Sequence, residues 1–479
     1  MIDLGKTHGR LLVFSRDGSL LQAQRWTHRS QNCAGGYLAL DVVDTGRHLM
    51  QAFQALGTLA AQVVRVIVSA HGAAIAGLQQ PPSTELAFEV PDYEWTGFDA
   101  RDPTLAAQLD PFSQTLCPLL PQGLNIGVQL DWLERNHPQA LARTATLLPY
   151  SQYWSWWLSG QAASEVSALG CHTLLWQPHT RGFSRWARDR GWAQRIAPLR
   201  NAWDELGPVR PARAAALGLQ PDTVVHVGVH DSNACLAAHL HHWSSLTLVS
   251  SGTWVVVMST GAPPGEWRDV DNQLANVSVQ GQGVATARFM GGRDVGVLCA
   301  GANPDEAAAT RLIALLQRGL MVLPGFQASD AACSQPTDAL WLDGGALALQ
   351  AWCVQLEPAD RATAAALYLG LMTASLILSM QAREPVVVDG PMAHNATALQ
   401  VLVALLPQLE LYRSVDEAEG TARGAWRLAH WHDKPSRQRT ERLGGIDPAW
   451  RAAVATHYRD WQARRRARAH PQVPARTTP

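Results

Sequence analysis

Val224-Val225-His226-Val227-Gly228-Val229-His230-Asp231-Ser232-Asn233-Ala234 is the stretch that decides how the chain is read. A valine-rich strand ends at a glycine and delivers His-Asp into the start of a helix expected to run on through Cys235–Leu240. An acid at the mouth of a strand-to-helix turn can face a ligand and accept a proton there. Asp231 is therefore the candidate general base, although an aspartate at this place also suits plain helix capping. Downstream, Leu246-Thr247-Leu248-Val249-Ser250-Ser251-Gly252-Thr253-Trp254-Val255-Val256-Val257 reads as two strands around a tight polar turn. The amides and hydroxyls of such a turn can hold a phosphate. An acid and a phosphate-holding turn together suggest phosphoryl transfer.

The chain opens in the same way. Asp3-Leu4-Gly5-Lys6-Thr7-His8-Gly9-Arg10 leads into the strand Leu11-Leu12-Val13-Phe14. Gly5 and Gly9 permit close backbone approach in a hairpin, and Asp3 can hold Mg2+ through water. Lys6 and Arg10 bring positive charge. Lys6 and Lys434 are the only lysines in the chain, so a lysine inside this turn stands out. The segment is not a P-loop, because the Gly-x-x-x-x-Gly-Lys-[Ser/Thr] spacing is absent.

These segments resemble the FGGY carbohydrate kinases, within the actin/Hsp70/sugar-kinase fold, and most of all the rhamnulokinase and fuculokinase branches. The resemblance is carried by Asp-Leu-Gly-x-x-x-Gly-Arg at 3–10, by Gly228 through Asp231 and Ala234, and by Ser251-Gly252-Thr253-Trp254. It continues through Leu120–Gly123, Leu148-Pro149-Tyr150, Glu165 to Trp176, Val386–Pro391, and Glu419 to Ala425. It implies an α/β protein of two actin-like (ribonuclease H-like) domains with a cleft between them. It implies ATP and Mg2+ as cofactors and a ketose as acceptor: L-fuculose, L-rhamnulose, or a ketopentose such as ribulose or xylulose. Asp231 is then the base, and His71, Gly72, His230, Ser232 and Arg288 belong to the sugar. Gly5, Lys6, Thr7, His8, Gly9, Arg10 and Thr253 belong to the ATP phosphates, Gly390 to the adenosine, and Asp3 to the metal. Trp26, Tyr93 and Trp95 are further candidates for the sugar pocket.

The expected domains are 1–222 on the sugar side, 223–457 on the nucleotide side with a hinge near 222, and a basic, Pro-containing disordered tail at 458–479. Three departures from the family pattern stand out. Asp3 follows only two residues, so the first strand is short. Asp389-Gly390-Pro391-Met392 replaces a triple glycine, and proline removes a backbone donor. Gly291-Gly292-Arg293-Asp294 differs from a rhamnulokinase, which leaves the sugar open.

Composition narrows the class. With 479 residues, a net charge of −1 and a pI near 7, nothing calls for nucleic acid or an anionic membrane. Seven cysteines without a Cys-x-x-Cys pair fit free thiols in a cytoplasmic enzyme. The apolar segments near Val63–Val68 and Leu367–Met380 are read as too short or too interrupted to span a bilayer. The expected partners are a sugar and ATP, with a possible homodimer. Two other classes are weighed: a catalytically weak sugar- or nucleotide-binding regulator, and a chaperone ATPase. The His230-Asp231 pair argues against the regulator, and the lack of room for a peptide-binding domain argues against the chaperone.

Overall fold

A computed structural model describes residues 1–80, 83–98, 103–261, 273–326, 337–415, 420–433 and 440–469. Glu419, Lys434 and positions from 470 onward lie outside the described residues. The chain divides into two compact units. Unit 1 comprises Met1–Ser245, Met258–Ala287 and Asp416–Gln438; unit 2 comprises Leu246–Val257, Arg288–Val415 and Arg439–Pro479. The division expected near 222 falls inside unit 1. The reason is that 223–245 contributes a strand to the sheet built by 1–70.

That sheet has five strands: β1 (Ile2–Leu4), β2 (His8–Phe14), β3 (Leu20–Thr27), β4 (Val68–Ala70) and β5 (Val229–His230), in the order β5-β4-β1-β2-β3. β1 and β2 form the expected hairpin and β3 extends it antiparallel, whereas β4 and β5 run parallel to β1. Ile2 and Leu4 are fully buried, and the helices Val42–Gln54 and Tyr150–Ser159 cover them with Leu49, Phe53 and Trp154. Asp41 caps the first of these helices, its carboxylate accepting from the Asp44 amide at 2.8 Å. A second core gathers Trp176, Trp186 and Trp192 around Leu130 and Val277.

Gly228 makes the approach to β5 possible. Its φ is +87°, and a Cβ there would stand 2.6 Å from the Val68 carbonyl, so only glycine fits. The helix after β5 begins at Asp231 itself and runs Asp231–Ala237, ending short of the Leu240 expected. It packs on the helix Gly420–Ala429 through Ala234, Ala237, Ala425 and Leu428.

Unit 2 carries β6 (Thr247–Ser251), which is parallel to β7 (Val386–Asp389); β7 is parallel to β8 (Leu411–Ser414), and β9 (Thr440–Arg442) closes the row antiparallel. The helix Pro358–Ser379 has 22 residues and is long and apolar enough to cross a membrane, in contrast to the shorter segment expected; 89% of its most apolar window is buried, as in a core helix. The C-terminal segment is corrected too. Helix Pro448–Ala469 replaces the disordered tail over 458–469, with Tyr458 and Trp461 buried. Trp461 Nε1 donates to the Val322 carbonyl at 2.6 Å, and Arg465 and Arg468 donate to Ser375 Oγ and the Pro324 carbonyl. Arg465 and Arg468 thus have partners along the helix, while Arg464 and Arg466 stay exposed.

Candidate active site at the strand ends

Register builds the site. Leu4 pairs with Ala70, and Ala70 with His230, across the three parallel strands β1, β4 and β5. The next residues along each strand are therefore Gly5, His71 and Asp231, side by side at three adjacent carboxyl ends. Ligands sit at such ends in α/β sheets, because the loops there diverge and leave space. The structure thus brings together Asp3, Gly5–Arg10, His71, Gly72, His230, Asp231 and Ser232, all in unit 1.

Each contact has a chemical reading. His71 is buried, and its amide donates to the Leu4 carbonyl at 2.9 Å. Its Nδ1 lies 2.7 Å from the Gly72 carbonyl, which only accepts, so Nδ1 carries the proton and Nε2 is left as an acceptor. Burial holds its pKa below the ordinary histidine value, so the ring is neutral at pH 7. Gly72 is needed for space: a Cβ there would lie 3.0 Å from His230 Nε2. Asp231 is about one-third exposed at its side chain, and its Oδ1 accepts from the Ser232 amide at 2.6 Å. It is the first residue of its helix, while His230 occupies the cap position.

Two expected phosphate ligands are engaged elsewhere. Lys6 donates to Asp92, lies 3.4 Å from Glu94, and stands 5.1 Å from the Tyr93 ring centre. Arg10 donates to Asp3 Oδ2 from Nε at 3.0 Å and from Nη2 at 2.5 Å. That clamp compensates the Asp3 charge, and a magnesium ion meeting Asp3 competes with it. A water-mediated hold fits this donor set better than direct ligation. Among the described residues, no group of three or more His, Cys, Asp or Glu side chains is placed to hold a metal. Thr7 is exposed and His8 half-buried; Gly9 packs against the Trp26 ring where a Cβ would collide. Trp26 is therefore a core residue. Trp95 packs edge-on to Trp132 and Phe98, away from a pocket role, while Tyr93 stands between Lys6 and His71.

Thr253, Arg288 and Gly390 belong to unit 2. The Ser251–Trp254 turn closes with the Gly252 amide donating to the Trp254 carbonyl at 2.8 Å. The Gly292 amide donates to the Thr253 carbonyl, and a Cβ on Gly292 would collide with Gly252. The unexpected Gly291-Gly292 pair is thus the close seat of this turn. The Arg288 guanidinium lies 5.3 Å from the Trp254 ring centre. Gly390 has φ +77°, and a Cβ there would collide with the Ser251 carbonyl. Pro391 opens a short 3-10 turn, where its missing donor costs nothing. Ser251 Oγ accepts from the Met392 amide at 2.9 Å and ties the two strand ends.

Three residues escaped the sequence reading. Asp92 is buried; desolvation alone would raise its pKa, but bonds from Lys6 and Ser30 outweigh it and hold the carboxyl below its ordinary value. Cys171 Sγ lies 3.3 Å from His230 Nε2, and Asn233 Nδ2 lies 3.1 Å from His230 Nδ1. Only Asn233 carried a signal, one helical turn after His230.

Three adjacent parallel strands whose ends gather an aspartate, two histidines and glycines fit an α/β phosphotransferase of the sugar-kinase class. The comparisons agree. Residues 244–438 match the family model described as carbohydrate kinase FGGY, C-terminal domain. The structure is similar to a carbohydrate kinase from Novosphingobium aromaticivorans, with TM-score 0.81 and 33% identity over 97% of this chain and 98% of that one. A ligand-bound xylulose kinase from Lactobacillus acidophilus shares the fold at TM-score 0.74 and 12% identity, covering 98% of each chain. The L-fuculokinase of Escherichia coli K12 is 30% identical over 136 residues, which span 28% of either protein. The chain belongs to the FGGY carbohydrate kinases.

Proposed function

We propose that the chain is an ATP-dependent kinase that phosphorylates a hydroxyl of a ketose, with Asp231 as general base. The observation that supports this most is the row Gly5, His71 and Asp231 at the ends of three adjacent parallel strands. In the proposed reaction, ATP with Mg2+ supplies the γ-phosphoryl group. The His71 Nε2 lone pair accepts from a sugar hydroxyl, Gly72 leaves room for the ring, and His230 and Ser232 border the reacting hydroxyl. Asp231 takes the hydroxyl proton as the oxygen attacks, a contribution of roughly 10²–10⁴-fold in rate. Thr253 and the Gly5–Arg10 turn are assigned to the phosphates and Gly390 to the adenosine side. Lys6 contributes chiefly by fixing Asp92 and Tyr93.

L-Fuculose, L-rhamnulose, ribulose and xylulose are the acceptors to test. ADP release is measured across a panel of ketoses, aldoses and polyols. ADP formed with one ketose and not without it supports the proposal. Silence on the whole panel, with ATP still binding, favours a regulatory sugar- or nucleotide-binding protein instead.

A further inference from the structure

We infer that Asn233 is a positioning residue that sets which nitrogen of His230 carries the proton, and so presents an N–H to the proposed base. The inference rests on the reading of Asp231 as that base. His230 ends β5 with its side chain buried. Its Nε2 lies 3.2 Å from Asp231 Oδ1 and 3.3 Å from Cys171 Sγ, and its Nδ1 lies 3.1 Å from Asn233 Nδ2.

Two independent constraints meet on this ring. An ionised carboxylate only accepts, so a bare lone pair on Nε2 at that separation would repel it, whereas a proton there is attracted. At the other end, an amide nitrogen only donates, so Nδ1 must be the unprotonated nitrogen. Both ends specify a neutral imidazole with its hydrogen on Nε2. Turning the amide around would set its oxygen against Nδ1 and call for a proton there, with Nε2 left to accept from the Cys171 thiol and its lone pair facing the Asp231 carboxylate.

The backbone arrangement makes the device local. Asn233 follows His230 by three residues on the helix that begins with Asp231, so one helical turn carries the base and the group that orients its neighbour. With Nε2–H beside it, the Asp231 carboxylate faces a donor that steers it toward the sugar hydroxyl. With the tautomer reversed, a lone pair faces the base and that steering is lost.

The test is 15N NMR of the histidine-labelled full-length protein at pH 7.5, with the His230 signals assigned from the His230→Gln spectrum. The expected wild-type result is a neutral ring protonated at Nε2. Asn233→Asp replaces the donor with an acceptor of the same shape, and is expected to move the proton to Nδ1 or to yield an imidazolium. With it, kcat on the accepted ketose falls by about tenfold or more while KM for ATP stays the same. An imidazolium or an Nδ1–H tautomer in the wild type, or an unchanged tautomer in Asn233→Asp, overturns the inference. The NMR result is read without turnover, so a chain that phosphorylates no ketose sinks the kinase proposal and leaves the tautomer result standing on its own.

Discussion

At Glu165 a carboxyl sits fully buried, with Oε2 accepting from Ser167 Oγ at 2.5 Å and from the Ala168 amide at 3.1 Å. Burial raises its pKa from 4.5 to about 7, against the pull of those bonds. The folded state therefore keeps a proton that the unfolded chain has released. Its contribution is fully present below pH 4.5 and is lost as pH rises through about 7. Glu165→Gln keeps the acceptor oxygen and removes the titration, so it is expected to raise the melting temperature more at pH 8 than at pH 5. Equal shifts at the two pH values would remove Glu165 from this role. At Asp231 the expectation is kinetic: Asp231→Asn lowers ketose-dependent kcat by about 10²-fold or more with ATP affinity retained, read by ADP release and calorimetry. The place of Asp231 at a strand-to-helix junction was legible because a valine-rich run closing on Gly-Val-His-Asp reads as strand and then turn. Asp92 was not, because its meaning comes from Lys6, 86 positions away.

The lengths of neighbouring strands leave a mark on the sheet. β1 has three residues and β2 has seven, so Leu12–Phe14 on one side and Arg65–Val66 on the other border a lane that β1 does not fill. A cavity of about 750 Å³ lies there, at the opposite end of β1 from Gly5, with exposed Leu21 and Val64 at its walls. It is remote from the strand-end chemistry. A variant with four alternately apolar residues added before Met1 is expected to melt a few degrees higher, because β pairing and apolar burial in the lane favour the fold. An unchanged or lower melting temperature would show the lane to be unable to accept a strand. Helix contact gives the opposite case. Gly424 packs its backbone on the Ala234 carbonyl, where a Cβ would collide. Gly424→Ala is expected to destabilise unit 1 by about 1–3 kcal/mol in denaturant unfolding. The Gly-Ala helix could be placed from its sequence, but not the carbonyl it must approach.

At the scale of the molecule, each unit is assembled from segments far apart in the chain, and its stability reflects that. Trp461 is fully buried in unit 2, so truncation after His457 is expected to lower the protection of 321–323 and 373–377 in hydrogen exchange while the core around Ile2 and Leu4 keeps its own. Equal loss of protection in both units would count against this. The amino-acid sequence by itself determined the strand-glycine-acid segment, the opening hairpin, the Ser-Gly-Thr turn and hence the kinase family, because these are local patterns whose chemistry travels with a few adjacent residues. Only the tertiary structure decided that 223–245 joins the first unit, that Lys6 pairs with Asp92, that the helix to Ala469 is core, and that Asn233 faces His230. Those outcomes depend on which distant surfaces meet, and burial and charge act on neighbours in space, which a linear pattern does not name.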